Sequence, residues 1–240
     1  MSELLQTTLG DLVAADARRA ALFDRLGIDY CCQGGRTLQK ACEAKEVDPS
    51  IVAATLEALG QAGAQDAPSV DWTERPLGEL IDHIVETHHA YLRRELPKLA
   101  TLFERVASVH GHQSGWLVEA KEVFGRLRLE LNSHTESEET SIFPMIRALE
   151  GGERPVAAED AEALLAEAED EHETAGAALH RLRTLSGDYT PPEWACGSFR
   201  SLLDDLAALE ADTHRHVHKE NSILFPRARR LIENRAPVSS

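Results

Sequence analysis

Histidine and glutamate stand four residues apart twice in this chain, each time with the same tail. HTESEETSIFP at 134–144 and HVHKENSILFP at 216–226 both read His, three residues, Glu, four residues, Phe-Pro. Residues four apart on an α-helix lie about 40° from each other, so His134 shares a face with Glu138, and His216 with Glu220. Each pair can hold one edge of a metal ion. A histidine precedes each pair at nearly the same distance: His89 lies 45 residues before His134, and His172 lies 44 before His216. A duplicated helix pair, folded about a rough two-fold axis, would gather four imidazoles and two carboxylates at mid-bundle. Imidazole and carboxylate suit iron, and glutamate can bridge two ions, so the pattern predicts a carboxylate-bridged pair of iron ions. Zinc more often gathers three or four ligands around one ion.

Among eleven histidines a single His-Glu pair is unremarkable. Two pairs with the same tail and matched upstream histidines are not. His214 and His218 are two residues from His216, roughly 160° around the helix, and should point elsewhere. His83, His88, His110, His112 and His180 are expected at the surface or in support of ligands, with register alone choosing His89 over His88. Glu130, one turn before His134, and Glu171, beside His172, are candidates to orient ligands or relay protons. Each proline of the repeat removes a backbone N–H and leaves the carbonyl of Thr140 or Ser222 unpaired within an α-helix. Two such costs in matching places suggest a shared structural purpose.

The elements that must position these residues are helices. The chain has 240 residues, 42% hydrophobic and 5% aromatic; Ala, Leu, Glu and Arg dominate, which predicts an all-α protein. Residues 7–26 carry apolar side chains near helical spacing, and Gly27 is a natural stop. The loop IDYCCQGGRT follows, then a short helix from Thr37 through Ala44. A further helix is capped by Asp48, with Pro49 at its first position. GAQDAPS at 63–69 is the candidate linker, dividing a small helical domain over 1–66 from a four-helix bundle over 70–235. The bundle helices are expected at about 76–109, 115–149, 158–186 and 192–233, with Gly- and Pro-containing connections short enough for antiparallel neighbours. A net charge of -16 argues against nucleic acid or an anionic membrane surface as the main partner. The opening residues carry acidic side chains and no apolar run suited to a signal peptide or a membrane span, so a cytoplasmic location is expected. Four cysteines without a CxxC pair are read as reduced thiols.

IDYCC near the start, with SIFPMI and ENSILFPRA later, resembles the iron-sulfur cluster repair di-iron proteins of the hemerythrin-like superfamily, also called the repair-of-iron-centres family. The resemblance spans nearly the whole chain. It implies a hemerythrin-like bundle whose two iron ions are held by His89, His134, His172 and His216 with Glu138 and Glu220 as bridges. It also implies a role in restoring clusters damaged by nitric oxide or oxidants. In that role the chain would donate iron to damaged or apo iron-sulfur proteins, with nitric oxide or oxygen as small ligands. Rival functions on the same residues are a nitric oxide or oxygen sensing module and a nitric oxide reductase; a homodimer is compatible with each. Cys31 and Cys32 are the adjacent cysteines of the family's small domain, candidates for iron delivery or redox control. A helix beginning near Thr37, together with Arg36, would lower a thiol pKa there; two buried inert thiols are the alternative. Cys42 and Cys196 are expected to be structural residues on helices. Oxygen-carrying hemerythrins repeat histidine four residues on in the third helix, whereas Gly176 stands four after His172. That implies a less filled iron pair or a close-packing position. Gln33 interrupts the usual Cys-Cys-Gly order.

Overall fold

The computed structural model describes residues 2–62, 70–153 and 155–234. The expected linker at 63–69 and the last residue of the expected bundle, 235, lie outside the described residues. The N-terminal unit holds α1 (Ser2–Gln6), α2 (Leu9–Ala15), α3 (Arg19–Leu26), α4 (Leu38–Ala44) and α5 (Pro49–Ala62). The single helix expected over 7–26 is broken. Asp16 leaves helical geometry (φ -155°, ψ 100°), and its carboxylate accepts the Arg18 N–H and binds the Arg18 guanidinium. This local turn competes with helix continuation. Thr8 caps α2 and Thr37 caps α4, and the two threonines form an antiparallel bridge that ties the strings of helix together. Gly27 ends α3 at φ 62°, the left-handed conformation that glycine adopts at least cost.

Four antiparallel rods form the bundle. The first joins α6 (Leu77–Ile84) to α7 (Ala90–His110) through a π-helical turn at Val85–His89; the second joins α8 (Trp116–Ser137) to α9 (Phe143–Glu150) through another at Glu138–Ile142. The third is α10 (Ala158–Leu185), unbroken. The fourth joins α11 (Gly197–Lys219) to α12 (Phe225–Glu233) through a π-helical turn at Glu220–Leu224. The fourth rod starts at Gly197 rather than about 192: the Ala195 N–H closes a turn onto Pro192 O, and Cys196 is extended (φ -72°, ψ 169°) before the helix begins.

Two apolar cores lie end to end inside the rods. One is built around Phe103, Phe124, Leu179 and Phe199, the other around Ile84, Ile146, Leu165 and Phe225. His89, His134, Glu138, His172, His216 and Glu220 fall between them on all four rods, so a buried polar layer is plugged above and below by hydrocarbon. A third core, around Phe23, Tyr30, Leu38 and Leu56, belongs to the N-terminal unit but includes Val217 of α11. That unit is therefore packed onto the fourth rod. Among the described residues no helix is long and apolar enough to cross a membrane.

Candidate metal centre

The π-helical turns explain what the two Phe-Pro dipeptides do. Pro144 and Pro226 have no N–H, and an α-helical carbonyl four residues back would meet the proline ring. Instead the Phe143 N–H reaches Glu138 O and the Phe225 N–H reaches Glu220 O, five residues back. The widened turn begins at the glutamate itself and aims its carboxylate inward. The phenylalanine ring then lies against the histidine of the neighbouring rod. Phe143 stacks on His89 at 5.6 Å between centroids, and Phe225 on His172 at 6.0 Å.

The six residues meet as two overlapping groups, His89, His216, Glu138 and Glu220, and His134, His172, Glu138 and Glu220. Within each, the donor atoms all lie within 4.8 Å of one another. Glu138 presents Oε1 to His134 Nε2 at 3.3 Å and Oε2 to His89 Nε2 at 3.2 Å. Glu220 presents Oε1 to His216 Nε2 at 2.9 Å and Oε2 to His172 Nε2 at 3.2 Å. The imidazoles face each other edge on, with Nε2 atoms 3.1 Å apart for His89 and His216 and 2.9 Å apart for His134 and His172. An octahedral ion with bonds of about 2.05 Å has ligand-ligand edges of about 2.9 Å, so this spacing suits two ions that share both carboxylates.

Both glutamates are fully buried. Among the described residues, Glu138 Oε1, Glu138 Oε2 and Glu220 Oε2 have no hydrogen-bond partner although imidazole nitrogens lie beside them. Buried anions aimed at common points without hydrogen bonds are costly unless a cation joins them. The donor set thus fits a metal. Without one, histidine protons supply the positive charge: burial opposes the charge on His134, but Glu138, Glu220 and Glu171 overcome it and raise its pKa to about 10. Burial pushes up on Glu220 less strongly than His216 and His172 pull it down, well below the usual carboxylate range.

Residues around the ligands repeat as well. The residue after each glutamate supports the upstream histidine of the neighbouring rod: Glu139 Oε1 accepts from His89 Nδ1 at 2.7 Å, and Asn221 Oδ1 accepts from His172 Nδ1 at 2.8 Å. Arg93 in turn holds Glu139 at 2.6 Å. The residue before each upstream histidine faces the downstream one. Glu171 Oε2 accepts from His134 Nδ1 at 2.6 Å, and the His88 ring stacks on His216 at 5.4 Å. Glu139 and Asn221 were not singled out by the sequence; aligning the two repeats one residue beyond each glutamate would have found them. Glu130 is exposed and lines, with Glu167, Asp170 and Glu171, a cavity of about 330 Å³ that reaches His134, His172 and His216.

The other expected residues are placed as follows. His88 is buried, not superficial, because Asp212 accepts from its Nδ1 at 3.1 Å and Lys219 Nζ meets its Nε2 at 2.9 Å. His218 is buried against Tyr30, and His214 pairs with Asp24 at 2.9 Å. Both point away from the centre, toward the N-terminal unit. Cys31 and Cys32 are free thiols with sulfurs 3.7 Å apart. The Cys31 thiol is not activated: the Cys32 sulfur, then burial and the Asp29 charge, push it well above the ordinary thiol range. Gly176 is a close-packing position, where an added Cβ would meet Cys32 Sγ at 3.4 Å. Cys42 is buried in the N-terminal core. Cys196 is exposed and precedes α11, where the Phe199 N–H and then His110 lower its pKa.

Residues 80–228 match the family described as the hemerythrin HHE cation binding domain. Residues 5–60 match one described as a domain of unknown function (DUF542). The chain is 34% identical over 220 residues to the iron-sulfur cluster repair protein YtfE of Escherichia coli O157:H7, covering 92% of this chain and 95% of the relative. It is 33% identical over the same shares to the protein of that name from Escherichia fergusonii.

Proposed function

The chain belongs to the family of iron-sulfur cluster repair proteins built on a hemerythrin HHE cation binding domain, and from that premise we propose that it stores two iron ions and returns iron to damaged or apo iron-sulfur proteins. In this reading His89 and His216 hold one ion, His134 and His172 the other, and Glu138 and Glu220 bridge them. The single observation that carries it is the pair of fully buried glutamates, each offering one oxygen to each histidine pair. Bound there, iron would supply an exchangeable ion and open positions for a small ligand. The chain's own residues do the rest. Glu139, Asn221 and Glu171 fix ring orientation and tautomer through Nδ1, and leave each Nε2 to face the centre. The two apolar cores keep bulk water from both ends of the polar layer.

The cavity bordered by Glu130 and Glu171 favours a route for ions, since its rim carries four carboxylates and attracts cations. Its volume also favours a second reading, in which nitric oxide or oxygen enters and is sensed or reduced. Cys31 and Cys32 take part in delivery, and a reducing cytoplasm suits four free thiols. The test is iron content and transfer. Protein purified anaerobically with iron should carry two ions per chain and reactivate an apo iron-sulfur enzyme, and Glu220→Ala should lose both properties. Stoichiometric loading with no reactivation, together with nitric oxide turnover, would favour the second reading instead.

A further inference from the structure

Outside the bundle a second set of donors converges on one point. Asp29, Cys31 and Cys32 each offer an atom within 4.8 Å of the others. Asp29 Oδ1 accepts the backbone N–H groups of Cys31 at 3.1 Å and Cys32 at 2.9 Å, which folds the loop so that both sulfurs and the carboxylate gather. Cys31 Sγ stands 3.3 Å from Asp29 Oδ1 and 3.7 Å from Cys32 Sγ. A disulfide needs sulfurs about 2.05 Å apart. Two thiolates on one tetrahedral ion, with bonds of about 2.3 Å, lie about 3.8 Å apart, and a sulfur and a carboxylate oxygen about 3.5 Å apart. In the metal-free loop the Cys31 contacts are S–H hydrogen bonds, and both spacings also match an ion's coordination edges.

The loop is also held in place from outside. Asn221 Nδ2 donates to Cys31 O at 3.3 Å while its Oδ1 holds His172, and Cys32 Sγ donates to His172 O at 3.5 Å. The three donors border a cavity of about 690 Å³ whose wall also includes Arg36, Lys45 and His180, so a further ligand has room to approach.

We propose that Asp29, Cys31 and Cys32 form a third metal site, a carboxylate-dithiolate cradle for one thiophilic divalent cation, with its fourth position open to the cavity. Two sulfurs and an oxygen suit ferrous iron or zinc and distinguish this site from the nitrogen and oxygen donors of the bundle. Binding forms two metal-sulfur bonds and one metal-oxygen bond, releases the thiol protons to solvent and leaves the oxidation state of the cation unchanged. The crowding that keeps Cys31 protonated in the free protein is relieved by a cation among the three donors. Use of the site as a station for ferrous iron leaving the bundle rests on the iron-donating function proposed above; the site itself does not.

Cobalt(II) tests it, because thiolate ligation alone adds a sulfur-to-cobalt charge-transfer band in the near ultraviolet. Reduced full-length protein should develop that band on titration with Co2+, and Cys31→Ser or Cys32→Ser should abolish it. Asp29→Asn retains an acceptor for the loop N–H groups but not the charge, and should weaken half-saturation of the band about tenfold. Glu138→Ala should leave the band in place while lowering cobalt bound elsewhere, which separates failure of this site from failure of the bundle centre. No sulfur band at saturating Co2+, or an unchanged half-saturation in Asp29→Asn, would overturn the proposal.

Discussion

Glu138 and Glu220 carry a different kind of burden from the histidines around them, because each gives one oxygen to each half of the centre. Removing either strips both proposed ion positions at once. Glu138→Ala or Glu220→Ala should therefore weaken iron retention at least about tenfold and disturb both ions, read as iron per chain after gel filtration. His218→Ala should keep both ions, because that ring faces Tyr30; equal loss of iron there would overturn the register that assigns His216 to the centre. His218 has an acid-linked cost of its own. Burial, with Lys219 beside it, holds its pKa down at about 4, against about 6.5 when unfolded. The unfolded chain thus takes up this proton first as pH falls. The stability tied to a neutral His218 is complete above about pH 6.5 and lost as pH drops toward 4, by at most about 3 kcal/mol. Urea unfolding of metal-free wild type and His218→Gln should show their stability difference shifting in favour of the variant across that window. A difference independent of pH would refute it.

At the scale of elements, the proline of each repeat does more than end an α-helical ladder. It sits just past a π-helical turn whose first residue is the repeat's glutamate. Pro144→Ala or Pro226→Ala restores an N–H and removes the ring's objection to α-helical spacing, so the turn can tighten and rotate the glutamate relative to the residues after it. Helix content by circular dichroism should stay the same or rise, while iron retention falls about tenfold. Unchanged retention would mean that packing of Phe143 and Phe225 alone sets the turns. Much of this layer was legible in the sequence, since the repeated His, Glu and Phe-Pro spacing names all six residues that meet. The π-helical turns were not. Two of them leave a proline as a trace, but the turn at Val85–His89 has none, and hydrophobic periodicity is too coarse to register one extra residue per turn. The break at Asp16 was missed for a related reason, because a side chain outcompeted the backbone within an otherwise helical pattern.

Across the whole molecule, two apolar cores of the bundle bracket the His-Glu layer and draw their buried members from the four rods and from the connection between the third and fourth. The N-terminal unit has a core of its own that borrows Val217. A chain beginning at residue 70 should therefore fold and load iron, though with reduced stability, because Val217 and His218 lose their cover. The N-terminal unit contributes something the bundle lacks, a sulfur-bearing loop hydrogen-bonded to His172 through Asn221 and Cys32. Nitrogen and oxygen donors hold ferric iron well, whereas release to a cluster scaffold calls for a ferrous ion and a softer ligand nearby. Replacing Cys31 and Cys32 together by Ser keeps the unit docked, since the Asn221 bond goes to a backbone carbonyl. This double variant should load iron almost as wild type does, yet transfer it to an apo iron-sulfur protein about tenfold more slowly under reducing conditions. Nitric oxide consumption by the reduced protein should change much less, because it needs only positions on the bundle ions. Transfer at the wild-type rate without the two thiols would return the pair to a packing role and leave the bundle to deliver iron by itself.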